Sequence, residues 1–240
     1  MDQSRAGTFS SSNIWKLLSK DRSGKGLGAP GLKYLKQVNY ERELGRAISV
    51  EHEARTTSWG NLCEKHVFQI LDTSYRYFAK KRFYHPSLPW TGCPDAVKDD
   101  TTSDIKCPTI EVFCDKIKVL NQGIQKYKEE YPEDYWQHIS NSVLLNLNGY
   151  DIKFFEPIIY CPYKKDLEKI REVASGVDDL IEQRKYYWVI SSDDSELPWL
   201  PNDSSYKDLN VFKFEIPKQD QDFLTSVIEG YSKLLIRKAA

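Results

Sequence analysis

The stretch Trp90–Pro108, WTGCPDAVKDDTTSDIKCP, decides how the rest of the chain is read. Residues 83–90 and 92–98 read as strands, because short β-type runs are bounded by turn residues. The polar Lys98-Asp99-Asp100-Thr101-Thr102 reads as a turn, and Ser103–Cys107 as a third strand ended by Pro108. On this reading Asp95 sits on one strand and Asp104 on the next. Side chains alternate along a strand, so Lys106 shares the face of Asp104. Two carboxylates brought together repel unless a cation or a proton intervenes. Mg²⁺ prefers oxygen ligands and keeps several waters, so few carboxylates suffice to hold it, and the carbonyl of Ile105 could add a neutral one. Asp-x-Lys alone is a common sequence, and Asp-rich turns are what hairpins use. The stretch therefore reads both as a plain charged hairpin and as half of a metal site.

Upstream, Ser58–Lys81 has apolar residues at 59, 62, 67, 70, 71, 75 and 78. That is helical spacing, with Ser58 a candidate cap and Glu64 in the early turns. Ser10, Ser11 and Ser12 precede Asn13–Lys20, an N-cap followed by a short amphipathic helix. Residues 23–31, SGKGLGAPG, form a loop and not a phosphate-binding P-loop, because no Gly-Lys-Ser/Thr opens a helix after it. A helix is expected near 32–46.

Downstream, residues 113–130 read as helical or mixed. Residues 131–149 read as a helix with Pro132 in the first turn and Gly149 at the end. Residues 151–161, 185–191 and 210–217 read as strands, the last alternating at Phe212, Phe214 and Ile216. The tail from Gln219 reads as helix, and residues 191–208 as a long polar loop. The sum is an α/β or α+β domain with a mixed sheet flanked by helices. No repeat or linker divides the 240 residues.

The chain is 40% apolar, 29% charged and 13% aromatic, which is ample for a core. No apolar run approaches a membrane span. The first twenty residues lack a long apolar stretch and a small-residue cleavage site, so no signal peptide is expected. Cys63, Cys93, Cys107, Cys114 and Cys161 are odd in number and form no close C-x-x-C pair, which points to thiols in a reducing cytoplasm. The net charge of −1 argues against blanket binding to polyanions, but residues 1–50 carry nine Lys/Arg against four Asp/Glu. That basic segment is a candidate phosphate-facing surface or an ordinary solvated one. His52, His66, His85 and His138 show no metal-ligand spacing, and Trp90, Trp136, Tyr186, Tyr187 and Trp188 are expected in the core.

Five blocks in order carry a resemblance: RAGTFSSSNIWKLLSKDRSGK (5–25), SWGNLCEKH (58–66), GCPDAV (92–97), SDIKCP (103–108) and YWQHISNSV (135–143). Together they resemble the PD-(D/E)XK nucleases, and within them the lambda-exonuclease or YqaJ-type viral recombinase group, over residues 5–160. The resemblance implies a restriction-endonuclease-like core, with residues 161–240 as an extension of a single nuclease domain. It implies Asp95, Asp104 and the Ile105 carbonyl as metal ligands, Glu64 as an additional acid at the metals and Lys106 as the catalytic lysine. Gln137 would be an active-site polar group, and Arg5 and Ser12 would hold the 5′-phosphate of a DNA end. The implied cofactor is Mg²⁺, with Mn²⁺ substituting. The implied activity is hydrolysis of double-stranded DNA from its ends, 5′ to 3′, in phage-type recombination beside a single-strand annealing protein. A ring-shaped homotrimer is implied for lambda-like members.

The chain departs from the pattern in three places, one of them length, since residues 161–210 look longer than in compact members. Asp104 stands where glutamate is usual, which shortens the reach by one methylene, and Cys93-Pro94-Asp95-Ala96 lacks the usual glycine after the aspartate. The alternatives are an endonuclease or single-strand-specific nuclease of the same fold, or a non-catalytic DNA-binding protein that kept it.

Overall fold

The computed structural model describes residues 5–48, 54–78 and 81–236; His52 lies outside them. Strand β1 (Phe9–Ser10) leads into a 3-10 helix, Ser11–Leu18, that buries Ser11, Ile14 and Leu17. The expected serine cap is not made: Ser10 precedes the helix, but no side chain caps it. Helix α1 (Ala29–Leu44) starts three residues earlier than expected, with Pro30 in its first turn, where its missing N–H costs nothing. It ends at Gly45, whose φ of 66° suits a residue without Cβ. Helix α2 (Arg55–Ile70) also starts early. Ser58 is therefore inside the helix and not its cap: its hydroxyl donates to the Arg55 carbonyl and accepts from the Trp188 indole.

The short strands β2 (Arg76–Tyr77) and β3 (Phe83–Tyr84) are followed by β4 (Trp90–Gly92), β5 (Ala96–Lys98) and β6 (Thr101–Lys106). The single strand expected over 83–90 is broken. Pro86 and Pro89 cannot donate to a ladder, so β3 and β4 face each other antiparallel. The expected Lys98–Thr102 turn shrinks to Asp99-Asp100: Lys98 pairs directly with Thr101, and Asp99 takes a φ of 51°. Aspartate tolerates that region better than most residues.

Helices α3 (Ile110–Leu120) and α4 (Ile124–Glu130) divide at Gly123, whose φ is 101°. Helix α5 (Pro132–Leu147) runs as expected to a turn at Gly149. The central strand β7 (Phe154–Tyr160) follows, then α6 (Leu167–Ser175), α7 (Leu180–Arg184) and α8 (Tyr187–Ser191). Residues 185–191, expected as a strand, are helical from Tyr187 because Tyr186 and Val189 bury three residues apart beside α6, whereas Tyr187 is 51% exposed and not core. So short an apolar run does not fix its own period. The expected strand over 210–217 is two, β8 (Leu209–Val211) and β9 (Phe214–Glu215), both antiparallel to β7. Helix α9 (Lys218–Ser232) closes the described chain.

The main sheet has the order β2-β5-β6-β7-β8, with β9 also on β7. β6 and β7 are parallel and the other pairings are antiparallel, which makes the sheet mixed. β1, β4 and β3 form a smaller sheet beside it. Alternate residues of β7 feed two cores. Phe155 and Ile159 pack with Phe113, Tyr135, Ile139 and Leu224, on the side of α3, α5 and α9. Ile158 and Tyr160 pack with Leu62, Val67, Leu167 and Ile170, on the side of α2 and α6. Each large apolar side chain buried in this way contributes about 1.5–3 kcal/mol before entropy is set against it. β6 lies between the two layers, so its even and odd residues see different helices.

Candidate active site

Asp95 directly precedes β5, one step beyond the Ala96–Ser103 pair and therefore opposite Asp104. Its backbone is held by the amide of Phe78, 3.0 Å from the Asp95 carbonyl oxygen. Its carboxylate accepts from the Ile105 amide, Oδ2 to N, at 2.7 Å. Removal from water pushes the Asp95 carboxyl well above the usual carboxylate range, and the neighbouring charges of Asp104 and Glu64 push it further. Asp95, Asp104 and Glu64 therefore share one electrostatic neighbourhood. Glu64 comes from α2 and accepts from the Tyr77 hydroxyl at 3.4 Å.

Asp104 points to the α5 side of β6 and is 2% exposed. Gln137 Nε2 donates to its Oδ1 at 2.7 Å. Lys106 Nζ lies 2.7 Å from its Oδ2 and donates to Gln137 Oε1 at 3.2 Å. The three side chains close a ring, and that ring fixes which way the Gln137 amide faces. Burial lowers the Lys106 pKa, but Asp104 and then Asp134 outweigh it and hold the ammonium well above its ordinary value. Lys106 is a cation throughout the physiological range.

Ile105 contributes its amide to Asp95 and its side chain to the core on the α2 side. Arg5 and Ser12 are both exposed. Arg5 lines a polar cleft of about 240 Å³ with Thr8, Ser10, Asn13, Tyr34, Gln37 and Glu41. The Ser12 hydroxyl is 3.4 Å from that of Ser10. Arg5 also acts electrostatically on Cys93, two residues before Asp95. Burial raises the Cys93 thiol, Arg82 and Arg5 pull it down, and Asp95 pushes it up.

The sequence reading missed four residues here. Asp134 and Lys116 form a buried ion pair beside Lys106. Asp134 could have been found: it stands three residues before Gln137, and therefore on the same face of α5. Lys116 gave no local signal. Arg82 looked like one member of a Lys-Lys-Arg run. Glu156 is 7% exposed on the other face of the sheet, where it accepts from Tyr75 and Ser103.

A second set of contacts joins the chain's opening block to this centre. The Ser140 hydroxyl, fully buried on α5, meets Ser11 Oγ at 2.7 Å and accepts from Trp90 Nε1 at 2.8 Å. A Cβ on Gly92 would collide with Ser11, Asn141 and Leu144.

The residues fit a divalent cation. Among the described residues Asp104 Oδ2 is buried with no hydrogen-bond partner, its ion pair with Lys106 apart. Asp95 is destabilised as an anion by the two carboxylates beside it. Oxygen donors of this kind suit Mg²⁺ or Mn²⁺. Among the described residues, no three or more His, Cys, Asp or Glu side chains stand together as a metal-holding group, so the fit rests on Asp95 and Asp104 and not on a preformed three-acid set. None of the five cysteines is in a disulfide.

The arrangement is that of a nuclease fold, a mixed sheet flanked by helices with an acidic centre at β5 and β6. Solved exonuclease structures share the fold of this chain, a mixed sheet flanked by helices. The chain is similar to an alkaline exonuclease, LHK-Exo, from Laribacter hongkongensis, with a TM-score of 0.61 and 15% identity, covering 95% of this chain and 87% of that one. The same enzyme solved in complex with dAMP gives 0.61 and 16% over the same shares. A phage-related exonuclease from Haemophilus somnus 129PT gives 0.55 and 14%, over 94% of this chain and 92% of that one. No family model and no curated protein matches the sequence. The similarity extends beyond residues 5–160 into the C-terminal third, which carries no motif.

Proposed function

We propose that the chain is a divalent-metal-dependent deoxyribonuclease that hydrolyses duplex DNA from its 5′ ends, as one nuclease domain over its whole length. The observation that carries the reading is the convergence of Asp95 and Asp104 on paired strands, with Lys106 2.7 Å from Asp104. A cation held by Asp95, Asp104, Glu64 and the Ile105 carbonyl would supply Lewis acidity at the scissile phosphate. Lys106 would donate to a phosphate oxygen or to the attacking water. Gln137 holds Asp104 with its amide nitrogen and Lys106 with its carbonyl, which sets both before substrate arrives. Arg5 and Ser12, both exposed at the opening block, would take the 5′-phosphate.

Mg²⁺ is the proposed physiological ion, with Mn²⁺ able to substitute. Duplex ends produced in phage-type recombination are the proposed substrate, in a cytoplasm, with a single-strand annealing protein as partner and a ring-shaped trimer as the assembly. The structures with this fold that are described as exonucleases support the reading.

The experiment is digestion of linear 5′-phosphorylated duplex and of a covalently closed circle, each with Mg²⁺ or Mn²⁺. The expected result is release of nucleotides from the linear DNA and an intact circle. Cutting of the circle would make the protein an endonuclease. Binding of DNA without cleavage of either substrate would make it a non-catalytic relative.

A further inference from the structure

Asp134 opens α5 one turn before Gln137 and is 7% exposed. Its Oδ1 is 3.8 Å from Lys106 Nζ, and its Oδ2 accepts from Lys116 on α3, which is itself buried. The Lys116 ammonium also sits 4.3 Å from the centre of the Tyr131 ring. Lys106 Nζ is thus surrounded by three oxygens: Asp104 Oδ2 at 2.7 Å, Gln137 Oε1 at 3.2 Å and Asp134 Oδ1 at 3.8 Å.

Only two of those oxygens belong to anions, and one of the anions is a candidate cation ligand. When Asp104 turns its charge to a cation, its hold on Lys106 weakens. Gln137 is neutral and is itself anchored on Asp104. The remaining anionic hold is Asp134. It cannot simply capture the ammonium, because Lys116 engages its other oxygen.

We propose that Asp134 is a positioning residue: it keeps Lys106 in place once Asp104 is committed to the cation, and Lys116 stops Asp134 from drawing Lys106 away. The proposal rests on the nuclease reading of the site. The competing role is purely structural, with Asp134 present only to neutralise buried Lys116. A buried charge left without its partner is strongly destabilising, so the two roles need a variant that removes both charges.

The test compares wild type, D134N, D134N/K116M, K106M and D134N/K106M. Steady-state kinetics on linear duplex with Mn²⁺ are combined with calorimetric Mn²⁺ affinity in the absence of DNA. Misplacement by about an ångström costs roughly 100-fold. D134N and D134N/K116M are therefore expected to lose about 10- to 100-fold in kcat, with KM within about twofold. Mn²⁺ affinity is expected to fall several-fold in D134N, because Lys106 then leans wholly on Asp104. It should be unaffected by the same change in the K106M background. Wild-type kcat in D134N/K116M would overturn the proposal, since Asp134 would then serve only Lys116. An equal loss of Mn²⁺ affinity with and without Lys106 would also overturn it, since Asp134 would then act on the cation directly. If wild type cleaves no DNA, the nuclease reading fails, and the Mn²⁺ cycle still reads the coupling of Asp134 to Lys106.

Discussion

Lys106 Nζ and Asp104 Oδ2 are 2.7 Å apart, two residues along one strand, with Asp104 almost wholly buried. The strand's own pleat creates this contact, since residues two apart share a face. It ties the only cation of the Asp104-Lys106-Gln137 ring to the acid most deeply placed in the site.

On the proposed reading, Lys106→Ala removes that cation from the scissile phosphate. Loss of one charged group that acts in the transition state costs about 10²–10⁴ in rate. Hydrolysis of linear duplex should fall by that factor, with Mn²⁺ affinity retained or improved because Asp104 loses its competitor. Wild-type rates in the variant would remove Lys106 from the mechanism.

Asp95 gives a stability prediction that depends on metal. Its carboxyl is raised in the fold above its unfolded value, so the native state binds more protons than the unfolded state in the interval between. Stability from this group is full below the ordinary carboxylate pKa and is lost as pH rises through the folded value. In EDTA at pH 8, Asp95→Asn should therefore melt higher than wild type. Added Mn²⁺ should raise the melting point of wild type and leave the variant unmoved.

His138 gives the opposite sign. Burial lowers its pKa to about 4, and its ring stacks on Phe155 at 4.7 Å with neither nitrogen hydrogen-bonded among the described residues. A depressed folded pKa contributes stability that is present above the unfolded value, near 6.5, and lost as pH falls toward 4. Denaturant titrations should show wild type losing up to about 3 kcal/mol more than His138→Gln over that window. Parallel pH curves for the two proteins would exclude the assignment.

Gly92→Ala places a methyl group where Ser11, Asn141 and Leu144 already stand. Overpacking of this kind costs about 1–3 kcal/mol. Ser140→Ala leaves the buried Trp90 indole without its acceptor, at a similar cost of about 1–3 kcal/mol. Both should appear in chemical denaturation as lower midpoints, and both should impair end-directed cleavage more than metal binding.

Arg5→Ala tests the end-binding reading. The rate on 5′-phosphorylated duplex should drop by about tenfold, the loss of one charge-assisted contact. The rate on 5′-hydroxyl duplex should stay the same. An equal drop on both would make Arg5 a general DNA contact.

Much of this was legible because strands and helices impose their own spacing. The pleat places Lys106 beside Asp104, and a hairpin turn brings Asp95 across. Block order brought Glu64 and Gln137 into view. What escaped depended on distant elements. Lys116 reaches Asp134 across eighteen positions of sequence, and Ser58 is an interior helix residue because Trp188 packs onto it from 130 positions away. Residues 185–191 escaped for a related reason: seven residues satisfy either period until α6 packs beside them. The serine block was legible as a unit but not residue by residue, since Ser11 is buried and Ser12 exposed.

Helix α5 presents Asp134 and Gln137 to the carboxylate centre and, one turn later, Ser140 and Asn141 to the opening block. An α-helix rises about 1.5 Å per residue, so the two attachments stand about 4.5 Å apart along a rigid rod. The spacing between the opening block and the carboxylate centre is thereby metered by a helix and not by a loop. One residue inserted between Gln137 and Ser140 would turn the second attachment by about 100° and uncouple the two. Residues added to the glycine-rich 23–28 segment would leave the measure intact. The molecule carries its own ruler, and the ruler's graduations are the residues of α5.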